Sequence, residues 1–210
     1  MSATDERQRG KPLVLCLTGS IGMGKSTAAR FFAEAGVPVH DSDAVVHALY
    51  QGDAVPLIEQ AFPGTTAAGK VDREKLAARV LDDPAALARL EAIVHPLVFA
   101  AREKFLAEAQ ARDAAVVLLD VPLLFETGND RLCDAVVVVT APHEIQRQRT
   151  FERSGMTEDK FAAILKKQTP DGEKRRRADY IIDNSQDFGH VRRQIRDILQ
   201  SVAKMPRKQR

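Results

Sequence analysis

Eight residues, Gly19 to Ser26 (GSIGMGKS), place glycines at 19, 22 and 24 ahead of a lysine and a hydroxyl, in the spacing G-x-x-x-x-G-K-[ST]. Glycine has no Cβ, so successive backbone N–H groups can converge there on the oxygens of a phosphate chain. In such a loop the Lys25 ammonium reaches the β- and γ-phosphates of a nucleoside triphosphate and the Ser26 hydroxyl ligates Mg²⁺. The residues Gly19, Ser20, Ile21, Gly22, Met23, Gly24, Lys25, Ser26 and Thr27 are therefore candidates for binding a nucleoside triphosphate. An apolar run, PLVLCLT, leads in, and the helical segment KSTAARFFAEAG leads out with Gly36 as its stop. A helix N-terminus at this point adds partial positive charge toward the anion. The competing reading is an ordinary strand-to-helix turn.

Other residue groups suit phosphoryl transfer, which asks a protein for positioning, charge neutralisation and a receiver for the hydroxyl proton. Asp41 and Asp43, in HDSDAV, follow a short apolar run; either can accept that proton or hold a Mg²⁺-bound water. The structural alternative is a helix N-cap, by Ser42 or Asp43, ahead of AVVHAL. Asp120 closes the run VVLLD as a carboxylate near Mg²⁺ would. Arg149 and Arg153 are four apart, the spacing at which two guanidinium groups on one helix face reach one phosphate chain; the alternative is a solvated face. Lys174 to Arg177 form the densest basic run.

The elements that must position these residues follow from hydrophobic patterning. Short, nearly continuous apolar runs lie at residues 12–19, 37–41, 114–121, 134–141 and 179–184, as expected for strands covered on both faces. Helical segments separate them, so the pattern predicts a mostly parallel α/β sheet. Between about Ser42 and Arg112 the pattern reads as helix upon helix with no strand, a helical insertion in which His95-Pro96 marks a helix start or kink. A second strandless stretch, 143–177, is helical and charged, with breaks at Gly155 and at Pro170-Asp171-Gly172.

Composition narrows the partners. The chain has 210 residues, 44% hydrophobic and 29% charged, a globular balance. Its net charge of +2 gives no field for a nucleic acid. No apolar stretch approaches bilayer length, so no membrane partner is expected; the ends, MSATDERQRG and MPRKQR, read as polar tails. Cys16 and Cys133 lie in or beside apolar runs without metal-ligand spacing, which predicts neither a disulfide nor a zinc site and fits a reducing, cytoplasmic setting. No N-K-x-D segment is present, which disfavours a guanine-nucleotide switch.

The segments LTGSIGMGKSTAARFFAEAGVPVHDSDAVVHAL, GKVDREKLAARVLDDPAALARLEAIVHPLV, VPLLFETG, VVVVTAPHEIQRQRTFERSGMTED and KKQTPDGEKRRRADYIIDN, taken in order, resemble the successive blocks of dephospho-coenzyme A kinases. The match runs from about Leu13 to Asn184. The resemblance implies a P-loop kinase-like three-layer α/β sandwich around a five-stranded parallel sheet. The core would comprise about 11–41, 113–142 and 178–204, with a helical acceptor subdomain at about 42–112 and a basic lid at about 143–177. It also implies ATP-dependent phosphorylation of the ribose 3'-hydroxyl of dephospho-CoA, the last step of CoA synthesis, with Mg²⁺ as cofactor and with a monomer or weak homo-oligomer as the working form.

By resemblance Asp43 is the base and Asp41 its neighbour, with Lys25 and Arg149 completing the catalytic set. The triphosphate in the glycine loop is ATP, and Arg149 and Arg153 meet its phosphates. His95, Leu124 and Glu126 face the acceptor, although core packing explains Leu124 equally and His95 can be a packing histidine. The chain departs from its relatives at His47 and Asp171, where some of them carry arginine. The rival readings are another small-molecule or nucleoside monophosphate kinase, and an ATP-binding module without turnover.

Overall fold

The computed structural model describes residues 11–205; the expectations for residues 1–10 and for the last five residues lie outside it. Five strands form one sheet in the order β2-β5-β1-β6-β7: β1 (Leu13–Thr18), β2 (Val39–Asp41), β5 (Val116–Asp120), β6 (Ala135–Thr140) and β7 (Tyr180–Asp183). The sheet is parallel, with Leu15 opposite Leu118 on one side of β1 and opposite Ala135 on the other. Every residue of β1 is buried, which is why its sequence reads as a continuous apolar run. Aspartates prepare two neighbouring strands: Asp134 and Asp179, each just ahead of its strand, accept the N–H groups of Val14 and Val136 at 2.8 Å.

Parallel pairing places the C-terminal ends of β1, β2, β5, β6 and β7 along one edge, and there the chain carries Thr18, Asp41, Asp120, Thr140 and Asp183. That edge is where an open α/β sheet takes its ligands. Helix α1 (Lys25–Glu34) starts directly from the glycine loop and packs Ala28, Phe31 and Phe32 against the sheet. It ends in paired bonds from the Gly36 N–H to the Ala33 carbonyl and from the Val37 N–H to the Phe32 carbonyl, the geometry that turns the chain into β2. Helix α9 (Phe188–Val202) covers the same face with Val191, Ile195, Ile198 and Val202.

The chain separates into two compact units. One comprises the residues up to His40 and from Ala109 onward; the other is Asp41–Glu108. The second unit contains α2 (Ser42–Leu49), α3 (Ala54–Ala61), α4 (Arg73–Val80) and most of α5 (Pro84–Ala111), around a core of Ala54, Ile58, Phe62, Leu76, Leu90 and Val94. It is not strandless as expected. A two-residue hairpin, β3 (Thr66–Ala67) with β4 (Lys70–Val71), turns through Ala68 and Gly69, both at positive φ. Such short strands leave no alternating pattern, and only the Ala-Gly turn hints at them.

Helix α5 runs unbroken through Pro96 for 28 residues. Contrary to the sequence expectation, its alanine-rich course is long and apolar enough, by length and composition alone, to cross a bilayer. Here it supplies Ala86, Leu90 and Val94 to the core of the helical unit.

A second expectation also fails: Cys16, within β1, and Cys133, just before β6, are joined by a disulfide. Each cysteine reads as a core residue in sequence. The parallel pairing of β1 with β6 brings together two positions 117 residues apart.

Candidate active site

The glycine loop between β1 and α1 is fitted to its neighbours so closely that side chains are excluded. Gly24 adopts φ 89°, and a Cβ there would collide with the amide of Asn184; one on Gly22 would collide with the Thr150 hydroxyl. The glycines thus serve close packing as well as backbone exposure. Asn184 Nδ2 donates to the Met23 carbonyl at 2.9 Å. Gln146 Nε2 donates to the Ile21 carbonyl at 2.8 Å, and the Ile21 N–H donates to Gln168 Oε1 at 3.1 Å.

Lys25, the first residue of α1, points its ammonium at the end of β5, 2.5 Å from Asp120 Oδ1. The Asp120 side chain is 3% exposed and that of Lys25 16%, so the pair is nearly sealed from water. Ser26 follows in the first helical turn with its side chain exposed.

Arg149 lies on α6 (His143–Phe151). Its Nη2 donates to the Asn184 carbonyl at 2.9 Å, while Nη1 is buried without a hydrogen-bond partner among the described residues and lies 3.6 Å from the position a Gly24 Cβ would take. Asn184 Oδ1 is likewise buried and unbonded. Two unspent polar atoms beside a glycine loop mark a place where a polar ligand group fits. Arg153 does not share this arrangement: α6 stops at Phe151, and Arg153 lies two residues past the end, exposed. The expected pairing of two arginines on one helix face is therefore corrected, because α6 ends at Phe151, before Arg153 is reached.

The basic run Lys174–Arg177, on α8 (Asp171–Arg177), is largely engaged within the protein. Lys174 is fully buried against Glu126 at 3.0 Å, Arg175 pairs with Asp171 at 3.0 Å, and Arg177 bonds Asp130 at 2.8 Å and stacks 4.2 Å from the Phe125 ring. Glu126 also accepts the Thr169 N–H at 2.6 Å. Burial pushes its carboxyl up, but the backbone N–H groups of Thr169 and of Glu126 itself, together with Lys174, outweigh burial and hold it below the usual range. Leu124 is fully buried and acts as a core residue, whereas its neighbour Leu123 is exposed.

In the helical unit, Asp41 rather than Ser42 or Asp43 caps α2, accepting the Ala44 N–H at 3.0 Å. This leaves Asp43, in the first turn and exposed, with no hydrogen bond or ion pair among the described residues. His95 is exposed on α5, one residue ahead of Pro96. Sequence reasoning missed Gln146, Gln168 and Asn184, which hold the loop from α6, from the segment after α7 (Glu158–Lys167) and from the end of β7. Their only signal was position: Asn184 closes the last apolar run, and Gln168 precedes a proline turn.

The family model for dephospho-CoA kinase matches residues 13–189. The chain is 60% identical over 195 residues to the dephospho-CoA kinase of Bradyrhizobium diazoefficiens, covering 93% of this chain and 98% of that protein. To the dephospho-CoA kinase of Mesorhizobium japonicum it is 60% identical over 190 residues, covering 90% and 96%. Among solved structures, TT1252 from Thermus thermophilus superposes with a TM-score of 0.78 at 34% identity, over 91% of this chain and 98% of that one. A dephospho-CoA kinase from Campylobacter jejuni gives 0.61 at 26% identity, with the same coverage.

Proposed function

Because this chain belongs to the dephospho-CoA kinase family, we propose that it transfers the γ-phosphoryl group of ATP to the ribose 3'-hydroxyl of dephospho-CoA, releasing CoA and ADP. The observation that carries the nucleotide site is the unbonded, buried Nη1 of Arg149 beside Gly24, in a loop whose lysine is already oriented by a buried carboxylate. An anion entering there meets backbone N–H groups, the α1 N-terminus and two cations.

Each residue then has a role set by its chemistry. Lys25 neutralises the β- and γ-phosphates, and Asp120 holds its ammonium in place until they arrive. Arg149 donates to phosphate oxygens through Nη1. Asp43, its carboxylate uncommitted, accepts the 3'-hydroxyl proton, while Asp41 fixes the start of α2 and so the position of Asp43. His95 is the acceptor-side residue of the helical unit.

The exposed Ser26 hydroxyl and the Asp120 carboxylate are hard oxygen donors and suit Mg²⁺, which takes few protein ligands when phosphates supply the rest. Held by these residues, the ion would supply neutralisation of phosphate charge. The proposed setting is the cytoplasm, on the ground that both substrates are small soluble molecules and no longer on the cysteines, which form a disulfide, and the working form is a monomer or weak homo-oligomer.

The test is ADP release from Mg-ATP with dephospho-CoA, adenosine, AMP and pantetheine phosphate as acceptors. Dephospho-CoA should be turned over fastest. A faster reaction with AMP would keep the phosphate loop and reject the acceptor.

A further inference from the structure

The segment Gln168–Lys174, which ends α7 and begins α8, is fastened at the C-terminal ends of three parallel strands. After β1, Gln168 Oε1 accepts the Ile21 N–H at 3.1 Å. After β5, Glu126 Oε1 accepts the Thr169 N–H at 2.6 Å and lies 3.0 Å from the Lys174 ammonium. At the end of β6 the Thr140 hydroxyl donates to the Asp171 carboxylate, 3.1 and 3.0 Å from its two oxygens. Since Gln146 donates to the Ile21 carbonyl, both backbone polar groups of Ile21 are held by glutamine side chains, one of them carried by this strap.

Glu126 is the anchor. Lys174 is fully buried, and a buried ammonium is tolerated only against an opposite charge. The Glu126 side chain is 14% exposed, and one of its oxygens accepts the Thr169 N–H and pairs ionically with the Lys174 ammonium, so it contacts the strap at two points. Thr169 directly follows Gln168, so the carboxylate that fixes Thr169 also fixes the origin of the Gln168 side chain.

We propose that Glu126 and Gln168 are positioning residues for ATP: Glu126 holds the strap, and the strap holds the phosphate loop through the Ile21 amide. This assigns Glu126 to the nucleotide side of the reaction in place of the acceptor contact implied by resemblance, and it rests on the reading of the loop as the ATP site.

The test uses the full chain with Glu126→Gln, Gln168→Met and the double variant. It measures KM for each substrate, kcat, and hydrogen exchange at the Ile21 amide. Gln168→Met should raise KM for Mg-ATP about fivefold, the size of one net hydrogen bond between neutral groups. It should speed Ile21 exchange by a similar factor and leave KM for dephospho-CoA unchanged. Glu126→Gln should move the same quantities in the same direction, and the double variant should be no worse than the more severe single, because steps in series do not add. A rise in KM for dephospho-CoA alone, or fully additive effects, would overturn the proposal.

If Glu126→Gln does not fold, Gln168→Met still decides, since it disturbs no charge: unchanged KM for ATP with unchanged Ile21 exchange refutes the strap's role. Absence of turnover by the unsubstituted protein would reject the proposed reaction instead, and the exchange comparison would still report on the strap.

Discussion

At the scale of single residues, Lys25 has two duties. From sequence alone a loop lysine contributes little to stability, so its removal should affect only catalysis. The 2.5 Å contact with a buried Asp120 changes that expectation. Lys25→Ala should reduce phosphate transfer below detection and also destabilise the fold by roughly 1–3 kcal/mol, because a buried carboxylate loses the ammonium that lies 2.5 Å from it. Urea unfolding beside an activity assay separates the two, and near-normal turnover would contradict the phosphate-loop assignment. Asp43→Asn keeps the shape and removes the basicity, so kcat should fall by about 10²-fold with KM for ATP little changed. A parallel collapse of Mg-ATP binding would make Asp43 a metal organiser. Glu126 gives the molecule an acid-side dependence. Its carboxyl is held below the unfolded value of 4.5, so its stabilisation is present above that value and is lost as pH falls through the folded value. The urea midpoint of the native chain should therefore drop more steeply on acidification than that of Glu126→Gln; identical slopes would show that the contacts of Glu126 with the Thr169 N–H and Lys174 stabilise nothing.

At the scale of elements, the early end of α6 divides two arginines that look equivalent in sequence. Arg149→Ala should lower kcat/KM far more than Arg153→Ala, since only Arg149 has an unbonded donor at the loop. Equal losses would restore the shared-face arrangement. The disulfide gives a second prediction: closing so long a loop stabilises by about 5 kcal/mol when oxidised, so a reductant should lower Tm by roughly 10–20 °C. Two titratable thiols in the unreduced, unfolded protein, with no change of Tm on reduction, would contradict the bond. These cases also show what sequence reveals. The five core strands were legible because burial on both faces forces continuous apolar runs, and the glycine loop because its chemistry restricts residue type at fixed spacing. The hairpin at Thr66–Val71, the end of α6 and the cysteine pair were not, since they depend on a turn, a break and a pairing that apolar periodicity does not encode. The same holds for Gln168 on Ile21 and Glu126 on Lys174, whose partners lie 147 and 48 positions away along the chain.

At the scale of the whole molecule, a helical unit of 68 residues with its own core is far more than a bare ribose hydroxyl requires. We propose that it binds the remote parts of an extended acceptor and that this binding aligns the hydroxyl. Adenosine and AMP should then lose kcat as well as affinity relative to dephospho-CoA. The proposed reaction makes one new bond, which phosphorus NMR of the product formed from Mg-ATP and dephospho-CoA observes directly. The expected product carries a single new phosphomonoester on the ribose 3'-oxygen, formed in step with ADP. A phosphate on any other oxygen, or ADP released with inorganic phosphate and no new ester, would contradict it.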